Sequence, residues 1–379
     1  MPHSSKKKTL SEAIIARARA LGFDRVGICP ASPLPHGEAL QRWVDAGHHG
    51  EMSYMGRNID VRADPSALMP GARSVVSVAM SYQRPPEASI GVGQVASYAH
   101  GYDYHKVIEH KLDSLGAFIR MEAGVEARTR SAVDRLPLLE RDVAYLCGVG
   151  WIGKNTMLIN RQLGSYLFLG ELVIDLDLEP AAEVVGDFCG SCTACLDACP
   201  TDAFEGPYVL NARRCISYLT IELRGPIPRT LRPLIGQHLF GCDICQAVCP
   251  WNRKSPHTRH FAFLGRPEVE ALTADTLLRE YDEKTFRKRL ALTAVQRAGR
   301  AGLLRNAAVV LGNTGDLRWV GLLTQRLEEE ADPLVRGHIA WALGQLSGPD
   351  ARLALEKRFE AEDDAYVKEE LAQALKECS

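Results

Sequence analysis

At 379 residues the chain is too long for one hydrophobic core and has room for two or three domains. Hydrophobic residues at 46% and charged residues at 24% exclude a disordered or fibrous chain, and no apolar run approaches the roughly 20 residues that a membrane-spanning helix needs. The formal net charge of −2 gives no sign of a polyanionic partner, yet residues 211–305 carry 17 Lys+Arg against 8 Asp+Glu. Such a local excess is the footprint of a phosphate-backbone partner or else a solvated basic face.

The first eight residues are polar and lysine-bearing with no apolar stretch behind them, so no export signal and a reducing, cytoplasmic setting are expected. Thr9 and Glu12 have capping-box spacing ahead of Leu10, Ile14, Ala18 and Leu21, which predicts an opening amphipathic helix. β-Branched and apolar runs at residues 25–28, 74–79 and 166–174 read as strands, with helices between them over 37–46, 104–122 and 138–147. Strands alternating with helices predict an α/β domain over residues 1–178. Residues 187–251 are rich in Cys, Gly and Pro, and a small ligand-stapled domain is expected over 179–258. Over 259–379 the chain repeats itself: Asn306-Ala-Ala-Val-Val-Leu-Gly312 aligns with His338-Ile-Ala-Trp-Ala-Leu-Gly344 at an offset of 32, with Ala372 and Leu375 continuing the series. A helical repeat of this length, with Asp316 and Asp350 closing loops, predicts an all-α unit of HEAT-like helix pairs docked on the cysteine domain.

In a reducing compartment cysteines are kept for metals or catalysis rather than disulfides. Cys189-x2-Cys192-x2-Cys195-x3-Cys199-Pro200 has the spacing of bacterial two-cluster ferredoxins, in which the fourth cysteine serves the other cluster. Cys242-x2-Cys245-x3-Cys249-Pro250 mirrors it without a first cysteine, which Cys215 supplies. The expected crossing puts one [4Fe-4S] cluster on Cys189, Cys192, Cys195 and Cys249, and a second on Cys199, Cys215, Cys242 and Cys245. Zinc, the competing reading, has no use for the trailing Cys-Pro. Cys29 and Cys147 read as small buried apolar residues, and Cys378 as part of the tail.

Gly148-Val-Gly-Trp-Ile-Gly-Lys154 satisfies Gly-x-Gly-x-x-Gly and nearly satisfies a phosphate-binding loop, but Asn155 replaces the required hydroxyl and a helix, not a strand, precedes it. It is kept as a cofactor loop without a nucleotide assignment. Asp103-Tyr-His105 opens like the Asp-x-His-x-x-Gly signature of cobalamin-ligating histidines, but Ile108 stands where the glycine belongs, so His105 is expected to be structural. Asp134, between a strand and a helix, reads from the residues alone as an N-cap.

Together, Tyr54-Met-Gly-Arg57-Asn, Ser97-Tyr-Ala-His-Gly-Tyr-Asp-Tyr-His105, Val133-Asp134, Gly150-Trp-Ile-Gly-Lys-Asn-Thr156 and Gly164-Ser-Tyr-Leu-Phe-Leu-Gly-Glu171 resemble the epoxyqueuosine reductase family. Both cysteine motifs, Ser217-Tyr-Leu-Thr-Ile-Glu222 and Cys249-Pro-Trp-Asn252 extend the resemblance over nearly the whole chain. It implies reduction of epoxyqueuosine to queuosine at the wobble position of tRNA, the final step of queuosine biosynthesis. It implies a base-off cobalamin on the N-terminal domain, contacted by Arg57, Ser97, Asp134, Lys154, Ser165 and Ser217, and it turns Asp134 from a cap into a proton donor. tRNA contacts fall on Arg141, Glu222 and Arg224. The basic residues Arg213, Arg214, Arg229, Arg253, Lys254 and Arg287-Lys288-Arg289 are expected to hold phosphates. Electrons come from an external flavodoxin- or ferredoxin-type donor, pass through the two clusters to cobalamin, and reach the epoxide with or without a cobalt–carbon bond. A monomer away from the membrane is expected. A corrinoid reductive dehalogenase, a plain two-cluster electron-transfer protein and a repeat protein with structural clusters are the rivals.

Overall fold

The structure is a computed structural model that describes residues 2–85, 91–124, 126–181 and 183–378. Helix α1 (Pro2–Ala20) starts well before Thr9, which therefore lies inside it and caps nothing. No breaker stands between Pro2 and Thr9, and proline is tolerated in a first helical turn. Ile14 and Ala18 are wholly buried beneath α1.

Four strands form the N-terminal sheet: β1 (Arg25–Pro30), β2 (Ser74–Ser81), β3 (Thr129–Ala132) and β4 (Leu167–Ile174), in the order β1-β2-β4-β3. β2 and β4 pair over eight residues, from Ser74 opposite Ile174 to Ser81 opposite Leu167. Helix α2 (Tyr104–Ala123) covers one face and helix α3 (Glu140–Leu146) the other. Val76, Val78 and Met80 pack with Ile108, Leu112 and Leu115 on the α2 side. Val75 and Ala79 pack with Val143 and Ala144 on the α3 side, as alternation along a strand requires. Every pairing is antiparallel, although strands alternating with helices and fully buried strands are the marks of a parallel sheet. Burial of both faces, not strand direction, produced the continuous apolar run at 74–79. The polar edge strand β3 carries no such run and showed in the sequence only as the strand ahead of Asp134.

Gln94–Val95 leaves this domain and pairs in parallel with His238–Phe240 of the cysteine-rich region, which sets Ser97 and Tyr98 beside Cys242. The C-terminal stack is built on helices α4 (Gly299–Gly312), α5 (Pro333–Leu346) and α6 (Ala365–Glu377). Gly312 lies so close to Ala342 that a Cβ would sit 2.9 Å from its Cα, and Gly344 meets Ala374 at the same distance. The repeated small residues thus mark the line of helix contact. Asp316 caps the short helix Leu317–Trp319, whereas Asp350 lies inside the first turn of helix Pro349–Ala361, where an acid complements the helix dipole. Cys378 does not trail free: it is buried, with its thiol on the Gly348 carbonyl.

The repeats dock through buried polar side chains that grip backbone carbonyls. Arg305 donates to Leu219, Leu223 and Gly225, Asn306 to Thr220 and Leu239, and Asn313 to Arg232 and Gly236. At the far end Arg229 and Arg232 both pair with Glu370. Among the described residues no helix is long and apolar enough to cross a membrane.

Candidate active site

The eight motif cysteines fall into two groups. The thiol of Cys249 faces Cys189 and Cys192, and that of Cys195 faces Cys249, Cys189 and Cys192. Cys242 faces Cys215 and Cys199, and Cys245 faces Cys215 and Cys242 first and then Cys195, the point where the two groups come nearest each other. The short helices Ala194–Asp197 and Ile244–Ala247 pack on each other and carry the two Cys-Pro ends past one another. Each group thus takes cysteines from both motifs, a soft-donor set that fits two cubane clusters. The loop around Cys192 is exposed, while Cys249 is buried against Trp151 and Ile159.

The glycine loop serves these motifs. Trp151–Ile152 and Leu158–Ile159 form a small hairpin in which a Cβ on Gly150 would sit 2.2 Å from the Ile159 carbonyl oxygen. Lys154 Nζ donates to the carbonyls of Gly190 (2.6 Å) and Cys192 (3.0 Å), and Asn155 Nδ2 to that of Cys245 (3.3 Å). One loop therefore fastens both cysteine motifs.

Asp134 is not an N-cap. Helix α3 begins six residues later at Glu140, and Asp134 is exposed in a bend with φ of +53°, a left-handed conformation that costs a non-glycine residue energy. Tyr104 donates its hydroxyl hydrogen bond to the Asp134 carboxylate, and the Asp134 amide donates to Glu140 Oε1 at 2.5 Å. Tyr104 itself stacks on Phe168 with ring centroids 4.2 Å apart, and burial beside Asp134 pushes its hydroxyl well above its ordinary range. Next to it Tyr98, raised by burial and by surrounding acids, faces Glu222, Asp243 and Asp134 together. Asp243, between Cys242 and Cys245, is raised by burial, an effect offset in part by the Ser97 amide, which donates to it at 2.7 Å. The Asp134 bend, the second cysteine group and the Glu222 segment thus converge on one side of the molecule.

Arg57 and Ser217 lie at the borders of this region, Arg57 exposed and Ser217 half-buried. Lys154 spends its ammonium on the Cys192 loop. Ser165 is buried, with its hydroxyl accepting from Gln246 (3.1 Å) and Asn252 (3.0 Å). Arg141 is exposed and reaches the Thr156 carbonyl. Glu222 holds Arg297 in a two-point pair at 2.9 and 3.0 Å, and Arg224 is exposed beside Ala298. His105 Nδ1 lies 2.7 Å from the Asp103 carboxylate. Arg229, expected to hold phosphate, instead pairs inward with Glu370 and Glu377.

A reductase from Pseudomonas aeruginosa named epoxyqueuosine reductase is 44% identical over 341 residues, covering 88% of this chain and 94% of its own. The chain belongs to the epoxyqueuosine reductase family. The model of the family described as epoxyqueuosine reductase QueG, DUF1730 matches residues 62–135, a 4Fe-4S double cluster binding domain matches 188–252, and HEAT repeats match 290–376. A crystal structure of epoxyqueuosine reductase with an epoxyqueuosine-modified tRNA-Tyr stem loop superposes with a TM-score of 0.89 at 33% identity, covering 98% of this chain and 99% of that one. A Bacillus subtilis epoxyqueuosine reductase, at 0.88 and 32% with 98% and 99% covered, has its catalytic aspartate loop swung out of the active site. For an epoxyqueuosine reductase, the residues that sequence reasoning missed are those behind Asp134: Tyr98, Tyr104, Glu140 and Glu171. Glu171 left a readable signal, a charge in the middle of the apolar run 167–174.

Proposed function

We propose that the protein reduces epoxyqueuosine to queuosine at the wobble position of tRNA, with Asp134 as the acid. Supporting this reading above all is the exposed Asp134 carboxyl, held by Tyr104 on the side of the molecule where Tyr98 joins it to the second cysteine group. Two [4Fe-4S] clusters on the eight cysteines and a base-off cobalamin, when bound, supply the two electrons that removing the epoxide oxygen requires. Ser97, Ser217 and Arg57 offer the hydroxyl and guanidinium donors that an amide-rich corrin needs, while Lys154 and Ser165 support the site from behind. Tyr104 fixes the carboxyl and Asp134 gives its proton to the opening oxygen. Exposed Arg141 and Arg224 position tRNA by its phosphates, and the flipped base is read beside Asp134. The exposed Cys192 loop is the face on which a flavodoxin- or ferredoxin-type donor is met. The test is anaerobic conversion of an epoxyqueuosine stem loop by protein loaded with iron, sulfide and cobalamin under dithionite, with product read by mass. Conversion by the wild type and a drop of about 10²–10⁴-fold in Asp134→Asn are expected; equal rates overturn the role of Asp134.

A further inference from the structure

Turning an epoxide into an alkene and water consumes two protons, and one carboxyl carries at most one. Behind Asp134 the structure lines up two more carboxyls. Those of Asp134 and Glu140 lie within hydrogen-bonding reach of each other, and so do those of Glu140 and Glu171. Glu171 is wholly buried in the middle of β4, opposite Ser77, whose hydroxyl donates to its Oε1 at 3.2 Å. Its Oε2 is buried without any donor. An orphaned carboxylate oxygen in the core is costly, and no carboxylate neighbour can relieve it, because an ionised carboxyl only accepts. One proton between Glu140 and Glu171 removes the problem: the O–H of one becomes the missing donor to the other.

Resting on the assignment of Asp134 as the acid, we infer that Glu140 and Glu171 share one proton and form a store that reloads Asp134 within each turnover. As the carbon–oxygen bond opens, the Asp134 O–H bond breaks and its proton passes to the oxygen, leaving a carboxylate. The shared proton crosses from Glu140 to Asp134, and a second delivery turns the new hydroxyl into departing water. Asp134 and the pair, left as three carboxylates, regain two protons from solvent, one passing through Asp134 to the pair and one staying on Asp134. The electrons are those of the reduction itself, and the store supplies none. The groups facing the pair are Asp134, Tyr104 from α2, Cys29 from β1 and Cys147 at the end of α3, all of them acids. Burial first pushes both glutamates well above the carboxylate range; repulsion from Glu171 and Asp134 adds to it at Glu140 and repulsion from Asp134 and Cys29 at Glu171, where hydrogen bonds with Ser77 and Glu140 offset it in part, in keeping with a retained proton.

Two measurements test the store. In single turnovers of prereduced, fully loaded enzyme, Glu171→Gln puts an amide N–H against Glu140 in place of the shared proton, which favours the Glu140 carboxylate and leaves it no proton to lend. The expected result is a rate about 10²-fold below wild type at neutral pH that recovers as pH falls, while Asp134→Asn stays slow at every pH. A Glu171→Gln rate and pH profile equal to wild type, with Asp134→Asn still slow, overturns the store and leaves Asp134 standing; an active Asp134→Asn overturns the underlying assignment instead. Independently of how the variants fold, infrared spectra of the wild type at neutral pH are expected to show a buried, protonated carboxyl band that shifts in heavy water. Its absence overturns the proposal.

Discussion

Replacing Glu370 with alanine tests how the repeats are held. Glu370 is buried and accepts two hydrogen bonds from Arg232, at 2.8 and 2.5 Å, and one from Arg229. Arg232 is 1% exposed, and without Glu370 its guanidinium keeps neutral partners alone, the Ile227 carbonyl 2.8 Å from Nε, the Tyr366 hydroxyl and the Trp341 ring. A buried ion pair broken from one side costs about 3–5 kcal/mol, because the remaining charge stays desolvated and unpaired. Arg229 is partly exposed and turns to water and Glu377, so it adds little. The Arg305 and Asn306 contacts lie elsewhere on the interface, and Asn313 holds the Arg232 main chain rather than its guanidinium, so all three survive. The expectation is therefore a loss of about 3–5 kcal/mol concentrated in α6, read by urea unfolding and by hydrogen exchange of its amides. Arg232→Met combined with Glu370→Leu should recover most of it, since no charge is then buried. A Glu370→Ala loss below about 1 kcal/mol, the scale of a surface pair, refutes the reasoning.

Cys249→Ser should remove the cluster of Cys189, Cys192 and Cys195 although it lies in the other motif; EPR showing the other cluster lost instead would reverse the grouping. Burial pushes Glu362 up, but hydrogen bonds from Arg336, the Asp364 amide and Arg358 outweigh it and hold the carboxyl at about 2, against an ordinary 4.5. Its depressed value stabilises the fold above pH 4.5 and is lost as pH falls toward 2. An acid-unfolding difference on the order of 3 kcal/mol against Glu362→Gln is expected, and parallel acid curves would count against it. Arg224→Gln should weaken stem-loop binding and flatten the log–log salt dependence by about 0.7–0.9; an unchanged slope would take Arg224 off the phosphate contacts.

The double-cluster cysteine motifs and the helical repeats were legible because both are written as spacing: ligands at fixed intervals, and small residues recurring where helices touch. Strand direction was not, since β2 is buried on both faces and an apolar run does not say which way its neighbour travels. Asp134 was misread locally because strand-to-helix junctions usually hold caps, and only tertiary contacts to Tyr104 and Glu140 separate a cap from a poised carboxyl. The basic segment was over-read for a similar reason. Arg229, Arg232 and Arg305 contribute to its charge count, yet each is turned toward the repeats or the cluster domain rather than outward.

The grip of Arg305, Asn306 and Asn313 falls on main-chain oxygens, not on side chains. Main-chain oxygens are present whatever residue occupies the position. Apart from Arg229 and Arg232, whose side chains pair with Glu370, the partner segments at residues 219–239 can therefore drift in sequence without loosening the joint, provided their backbone path is kept, whereas the three gripping side chains cannot. Variation tolerated on one side of the seam and forbidden on the other is the record such a joint should leave in a mutational scan.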